Sequence, residues 1–247
     1  MVKLTPELLA QTSSSINPCK ERQLDLRGYK IPVIENLGIT RDQHDAIDFT
    51  DNSVVTLGNF PLLKRLQTLL MANNRISTIS PSLHLSAPNL TTLVLTSNNV
   101  SELGDLEPLK DLKKLTYLSL IGNPVREKKW YREWLAYRIP SLRVLDFQRI
   151  RDKERQTGKS LFRTADNLPT ALATTITTTV SSSAAKAAIL ADEPRAQSQM
   201  KASKFMSKEE AERIKQAIAN AKSVDEIRKL ERSLREGYVP EIESVGA

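Results

Sequence analysis

Cys19, His44 and His84 are the only thiol and imidazole side chains among 247 residues. Metal centres need such ligands in clusters at defined spacings, and three residues this scattered form none. Cys19 has no evident base nearby in sequence, so it reads as a structural or surface thiol and not as a nucleophile. No glycine-rich phosphate loop is present. What remains to do chemistry is cations, carboxylates and amides. Between Arg126 and Arg163 stand 12 Lys/Arg against 5 Asp/Glu, a local +7 that equals the net charge of the whole chain. Such a stretch is either a solvated charged face or an electrostatic footprint for nucleic acid. Within it, Arg149, Arg151 and Lys153 alternate, and on an extended chain residues two apart project the same way. They are the candidate phosphate contacts. Nothing in the sequence argues for catalysis, for a metal or for a cofactor.

The amides point to architecture. Asn98 sits in LTTLVLTSNNVSEL, three residues after Leu95 and two before Val100. The same offsets recur around Leu69 (Met71, Asn74, Ile76), Leu118 (Leu120, Asn123, Val125) and Ile47 (Phe49, Asn52, Val54). A first copy has Leu24, Leu26 and Tyr29, and a last one has Leu142, Leu145, Phe147 and Ile150. From the first leucine-type position of each copy, the steps are 23, 22, 24, 25 and 27 residues. This is the leucine-rich-repeat pattern, in which each copy makes one short strand and a return path. The fold class is therefore α/β, a solenoid whose strands pair into a curved parallel sheet. At each turn off the sheet, buried backbone groups lack ladder partners, and one amide supplies both donors and an acceptor. Tyr29 and Ile150 mark the two ends, where only one neighbour needs bridging.

The elements around the array read as caps and a tail. In TPELLAQ, Thr5 is an N-cap, Pro6 suits the first helical position, and the short helix covers the first repeat. PVREKKWYREWLAYRIP puts Trp130 and Trp134 one helical turn apart, ahead of the final strand VLDF, and reads as the C-terminal cap. The capped repeat domain spans 1–165. Residues 166–205 are Thr/Ser/Ala-rich low complexity and read as a disordered linker. Over 206–240, two amphipathic helices follow, each opened by a capping box (Ser207 with Glu210, Ser223 with Glu226). Short amphipathic helices without a third partner need something to dock on. No apolar run of 18 residues and no leader-like segment is apparent, so no membrane partner is expected. One cysteine fits a reducing compartment.

The segments between the repeats resemble a known family. ERQLDLRGYKIPVIENLGITRDQHDAIDFTDN at 21–52, NFPLLKRLQTLLMANNRI, VSELGDLEPL, LTYLSLIGNPV and LRVLDFQRIRDKERQ are similar to the A-prime family of the U2 small nuclear ribonucleoprotein. The likeness runs nearly continuously from Met1 to about Phe162, and IKQAIANAKSVDEIRKLERSLREGYVPE resembles that family's C-terminal segment. The resemblance implies a non-enzymatic, nuclear component of the spliceosome that acts in pre-mRNA splicing. Its partner is an RNA-recognition-motif (RRM) protein, the B-double-prime protein, and the pair holds a stem-loop of U2 small nuclear RNA. Other spliceosomal proteins would meet the C-terminal helices. The alternative reading is a leucine-rich-repeat regulator, phosphatase-targeting or cytoskeletal, with no RNA role. The basic stretch at 126–163 favours the first.

Strand alternation locates the protein contact. Residues between and beside the core leucines point off the sheet, which selects Asp25, Arg27, Asp48, Leu70, Ala72, Val94, Thr96, Tyr117, Ser119 and Ile121 as an exposed concave surface. It is apolar in the middle and acidic at its N-terminal end, suited to an amphipathic helix with a basic end. Such a surface cannot hold phosphates, so RNA contact falls to Arg149, Arg151 and Lys153.

Overall fold

The computed structural model describes residues 2–181. Thr5 opens helix α1 (Pro6–Gln11) by accepting the Leu8 N–H at 3.3 Å, with Pro6 at the first helical position. Leu4 and Leu9 enter the core here, which closes the N-terminal end of the array as expected. A short strand the sequence did not signal follows, β1 (Ser14–Ile16). It pairs antiparallel with β2 (Arg22–Asp25) through a turn that the Asn17 side chain fixes by accepting the Glu21 N–H at 2.9 Å.

From there the repeats set the topology. In chain order come β3 (Ala46–Asp48), β4 (Thr56–Leu57), β5 (Thr68–Leu70), β6 (Thr78–Ile79), β7 (Thr92–Val94), β8 (Tyr117–Ser119), β9 (Val144–Leu145) and β10 (Gln148–Arg149). The main sheet runs β1-β2-β3-β5-β7-β8-β9-β10, parallel from β2 to β9, and β4 pairs with β6 beside it. Leu24, Ile47, Leu69, Leu93, Leu118 and Leu145 stand in register across the parallel strands. They are the residues from which the repeat spacing was counted. Each is buried, and truncating one such leucine to alanine costs about 2–5 kcal/mol.

The amide ladder is formed. Asn98 Oδ1 accepts the Ile76 N–H at 2.9 Å, while its Nδ2 donates to Met71 O at 2.9 Å and Leu95 O at 3.0 Å. Asn52, Asn74 and Asn123 make the equivalent bonds to the repeat before them. Each amide therefore satisfies one N–H and two carbonyls that would otherwise be orphaned in the core.

The return paths are short 3-10 segments (Leu37–Thr40, Leu103–Asp111, Pro124–Glu127) and helices α2 (Leu83–Ser86) and α3 (Tyr131–Arg138). Trp130 lies outside α3, as its left-handed N-cap, and the helix it precedes carries Trp134 into the core. Helix α4 (Asp152–Phe162) then lies on α3. Phe162 meets Trp134 edge-on at 4.9 Å and Tyr137 at 5.5 Å, and Gly158 allows the approach, since a Cβ there would stand 2.6 Å from Glu133 O. This aromatic cluster is the C-terminal cap.

Two expectations need correction. The last repeat does not run on as an extended VLDF strand: the chain reverses at Asp146 and Phe147, and β10 returns antiparallel to β9. Phe147, expected in the core, is 76% exposed. Second, within the stretch assigned to a disordered linker, Ala171–Thr178 forms helix α5. Thr170 caps it by accepting the Ala173 N–H, Ala173 is buried, and the helix packs on the 3-10 segment Leu103–Asp111. The remainder of that linker and the helical segment expected over 206–240 lie outside the described residues.

Candidate functional site

One row of the sheet holds Asp25, Asp48, Leu70, Val94 and Ser119 side by side. Two residues further along each strand come Arg27, Ala72, Thr96 and Ile121. Tyr117 stands in the row before, between Thr92 and Val144. The structure thus brings together on one surface the ten residues selected from strand alternation. Leu70, Val94 and Ile121 are half-buried and Tyr117 is exposed, so the middle of the surface is apolar.

Two members are covered rather than exposed. Asp48 is 5% and Ser119 3% accessible. Ser119 shares a hydrogen bond with Thr96 at 2.9 Å, and Asp48 accepts the Thr50 N–H at 2.9 Å. The acidic end is also partly compensated. Arg27 binds Asp25 at 2.6 Å and reaches Asp48 at 3.6 Å. The hydrogen bond from Arg27 holds the Asp25 carboxyl below the usual aspartate range, against a smaller opposing effect of burial.

At the far end of the sheet the last turn takes over. Asp146 is buried, and its side chain stands in for the strand carbonyl that the interior repeats offer, as Ser119 O does to the Leu95 N–H. Its Oδ1 accepts the Leu120 N–H at 2.8 Å, and its Oδ2 accepts the Tyr131 hydroxyl at 3.0 Å with Arg126 at 3.6 Å. Burial, and then the Asp146 carboxylate, raise the Tyr131 pKa far above that of a free phenol, so the hydroxyl stays a donor. Beyond the turn, Phe147 folds back over an apolar notch of about 150 Å³ between Tyr117, Val94 and Val144. Periodicity could not have found Phe147, since its position matches a core leucine in the other copies.

Beside the β9–β10 hairpin is a polar groove of about 710 Å³. Arg149, Arg151 and Lys153 line it together, with Arg132, Gln148 and Glu154. They converge for a different reason from the one expected: Arg149 is on β10, Arg151 is the N-cap of α4, and Lys153 lies in its first turn. All three are exposed, and among the described residues none of them is in a salt bridge. Arg132 is engaged, binding Glu154 at 2.5 Å. Burial alone would raise the Glu154 pKa, but Arg132 and the Arg151 N–H hold it below the usual glutamate value. The groove therefore offers an anion three exposed cations, with Glu154 answering part of the charge of Arg151. Among the described residues no group of three or more His, Cys, Asp or Glu could hold a metal ion.

A family model described as leucine-rich repeat matches residues 1–175. The chain is 48% identical over 239 residues to the U2 small nuclear ribonucleoprotein A' of Schizosaccharomyces pombe, covering 97% of this chain and 100% of the relative. Against the Homo sapiens protein of the same name it is 46% identical over 240 residues, 97% of this chain and 90% of that one. Among solved structures, the SNF/U2A' complex of Drosophila melanogaster matches with a TM-score of 0.65 and 55% identity, over 68% of this chain and 96% of that one. By repeat architecture and by sequence, the chain belongs to the leucine-rich-repeat family of U2 small nuclear ribonucleoprotein A' proteins.

Proposed function

We propose that the chain is a scaffold of the U2 small nuclear ribonucleoprotein that joins a protein partner to RNA in pre-mRNA splicing. It is not an enzyme. The sheet face receives a helix of an RRM protein of the B-double-prime type, through Leu70, Ala72, Val94, Thr96, Tyr117 and Ile121, with Asp25 and Arg27 at one end. Asp48 and Ser119 shape that face from below the surface. Arg149, Arg151 and Lys153 hold the phosphate backbone of a U2 small nuclear RNA stem-loop beside the bound partner. Such contacts position RNA without reading its sequence, which leaves base recognition to the partner. With only three such cations the chain alone binds RNA weakly, and tight binding needs the ternary complex.

The observation that carries this reading is that two surfaces of different chemistry are built at one hairpin. An apolar notch at Phe147 and a groove lined by three exposed cations share the β9–β10 hairpin without sharing a lining residue. A regulator without an RNA role would not need those cations. Affinity purification of the tagged chain from nuclear extract should recover an RRM protein and U2 small nuclear RNA. Recovery of neither, from an extract in which the chain is folded, would overturn the assignment.

A further inference from the structure

Asp146 and Phe147 form a two-residue hairpin turn with φ of 54° and 61°. Turns of this hand are filled most easily by asparagine and glycine, because both central residues sit in the left-handed region. A phenylalanine there is strained. Burial does not offset the strain, since Phe147 is 76% exposed, the highest value among the large exposed hydrophobic residues described. Its ring lines the apolar notch with Val94, Tyr117 and Val144, and Tyr117 across from it is 51% exposed. A strained backbone, two exposed aromatic rings and an apolar notch between them coincide at one end of the sheet face.

We infer that Phe147 is an anchoring residue for the protein partner, closing with Tyr117 on one apolar side chain of the bound helix. The inference rests on the reading of the sheet face as the partner site, and it fixes how the helix lies there. From β2 to β9 the sheet has five strand steps, or about 24 Å at ~4.8 Å each. A helix crossing it spans about 16 residues. Asp25, only partly compensated by Arg27, is at the β2 end, with Asp48 beneath it adding negative charge, and the aromatic notch is at the β8–β9 end. The occupant is therefore an amphipathic helix with basic residues toward Asp25 and a long apolar residue, such as leucine or methionine, between Tyr117 and Phe147. The notch volume of about 150 Å³ suits one such side chain. The turn holds the ring out over the sheet in advance, so little ordering cost remains to be met on binding.

The test uses the full chain with Phe147→Gly and Phe147→Asn, two residues that the left-handed conformation accepts. Both variants should unfold at a higher denaturation midpoint than the parent, because strain is relieved and almost no burial is lost. Both should bind the recombinant RRM partner about 30-fold more weakly, or worse, in calorimetry. Gain of stability with loss of affinity is a signature that a structural residue does not give. A lowered midpoint, or unchanged affinity while Val94→Arg abolishes binding, would overturn the inference and leave the sheet-face reading intact. If Val94→Arg also binds normally, the sheet-face reading fails and takes the inference with it. Loss of self-association in sedimentation, with partner affinity unchanged, would assign the notch to a second copy and overturn the inference as well.

Discussion

The sheet face and the basic groove both draw on the β9–β10 hairpin, yet they are built on opposite principles. On the sheet face, the side chains at the centre are short or branched and fixed to strands, with neighbouring strands limiting their freedom. In the groove, long exposed cations extend from β10 and the start of α4. The first arrangement recognises shape, because apolar contact needs close packing at both surfaces. The second recognises charge, because a phosphate is attracted over a range of geometries. A chain carrying both can select a protein precisely while gripping RNA permissively. The two should therefore fail differently when altered.

The largest effect should come from placing a charge where the shape is read. Val94 is half-buried in the centre of the sheet row, between Leu70 and Ser119. Val94→Arg would bury an unpaired cation under the partner, at roughly 3–5 kcal/mol, or more than about 100-fold in affinity. Because the side chain faces off the sheet, circular dichroism and the thermal midpoint of the free chain should hardly change. A folded variant that binds the RRM partner with parental affinity would remove the sheet face from the interface.

Next in size is a change that breaks the separation itself. Asp146 sets both sides of the hairpin, since it ties the turn to Leu120 and Tyr131. In Asp146→Ala the Leu120 N–H and the Tyr131 hydroxyl lose their acceptors inside the cap, at about 2–3 kcal/mol. The unfolding midpoint should drop, and hydrogen exchange over 144–151 should quicken on both flanks of the turn. Faster exchange on one flank only would mean that the two surfaces are supported independently.

Reversing the groove should give a smaller and more selective effect. Replacing Arg149, Arg151 and Lys153 by glutamate should weaken the ternary RNA complex about tenfold at physiological salt. The log–log salt slope should fall by roughly 2 to 3, in line with three lost phosphate contacts. Binding of the RRM partner without RNA should be unaltered. If RNA affinity and salt slope both survive, the cations solubilise the cap and do nothing more.

How these surfaces arise was only partly legible from residues. Asn98 gave the repeat away because an interior amide at a fixed offset has one economical use, and Leu24 through Leu145 indeed stand in register. The concave set followed from strand alternation, but burial of Asp48 and Ser119 did not, because it comes with partners from the neighbouring repeat, Arg27 for Asp48 and Thr96 for Ser119. The reversal at Asp146 had no Asn-Gly or Asp-Gly signal, so Phe147 was read as core and Arg149, Arg151 and Lys153 as an extended run. Helix α5 was hidden for another reason. Its threonines are poor helix formers, and tertiary contacts hold it instead. Gly104 leaves no room for a Cβ, which would stand 2.3 Å from Thr179 O, and Asp105 accepts the Ser181 N–H at 2.8 Å.

The smallest predicted effect separates the two ends of the sheet by pH. His44 precedes β3 and is only 9% accessible, with its Nδ1 buried and without a hydrogen-bond partner. Burial first, and then Arg22, lower its pKa from the ordinary histidine value; Asp45 opposes them, and Arg65 adds a smaller lowering. The folded chain thus binds fewer protons at this site than the unfolded chain. Stability is fully present above the unfolded value of about 6.5 and declines as pH falls below it. The depressed carboxylates Asp25 and Glu154 also lose stability with acid, but only below the carboxylate range, so they do not contribute near pH 6. Between pH 7.5 and 5.5, urea unfolding should show a modest loss of stability in the parent, and His44→Phe should show less of it. Hydrogen exchange should locate the loss around residues 44–48 and spare 148–155, since no buried imidazole lies against the groove. An equal decline in His44→Phe would place the titrating group elsewhere and leave both ends of the sheet indifferent to this pH range.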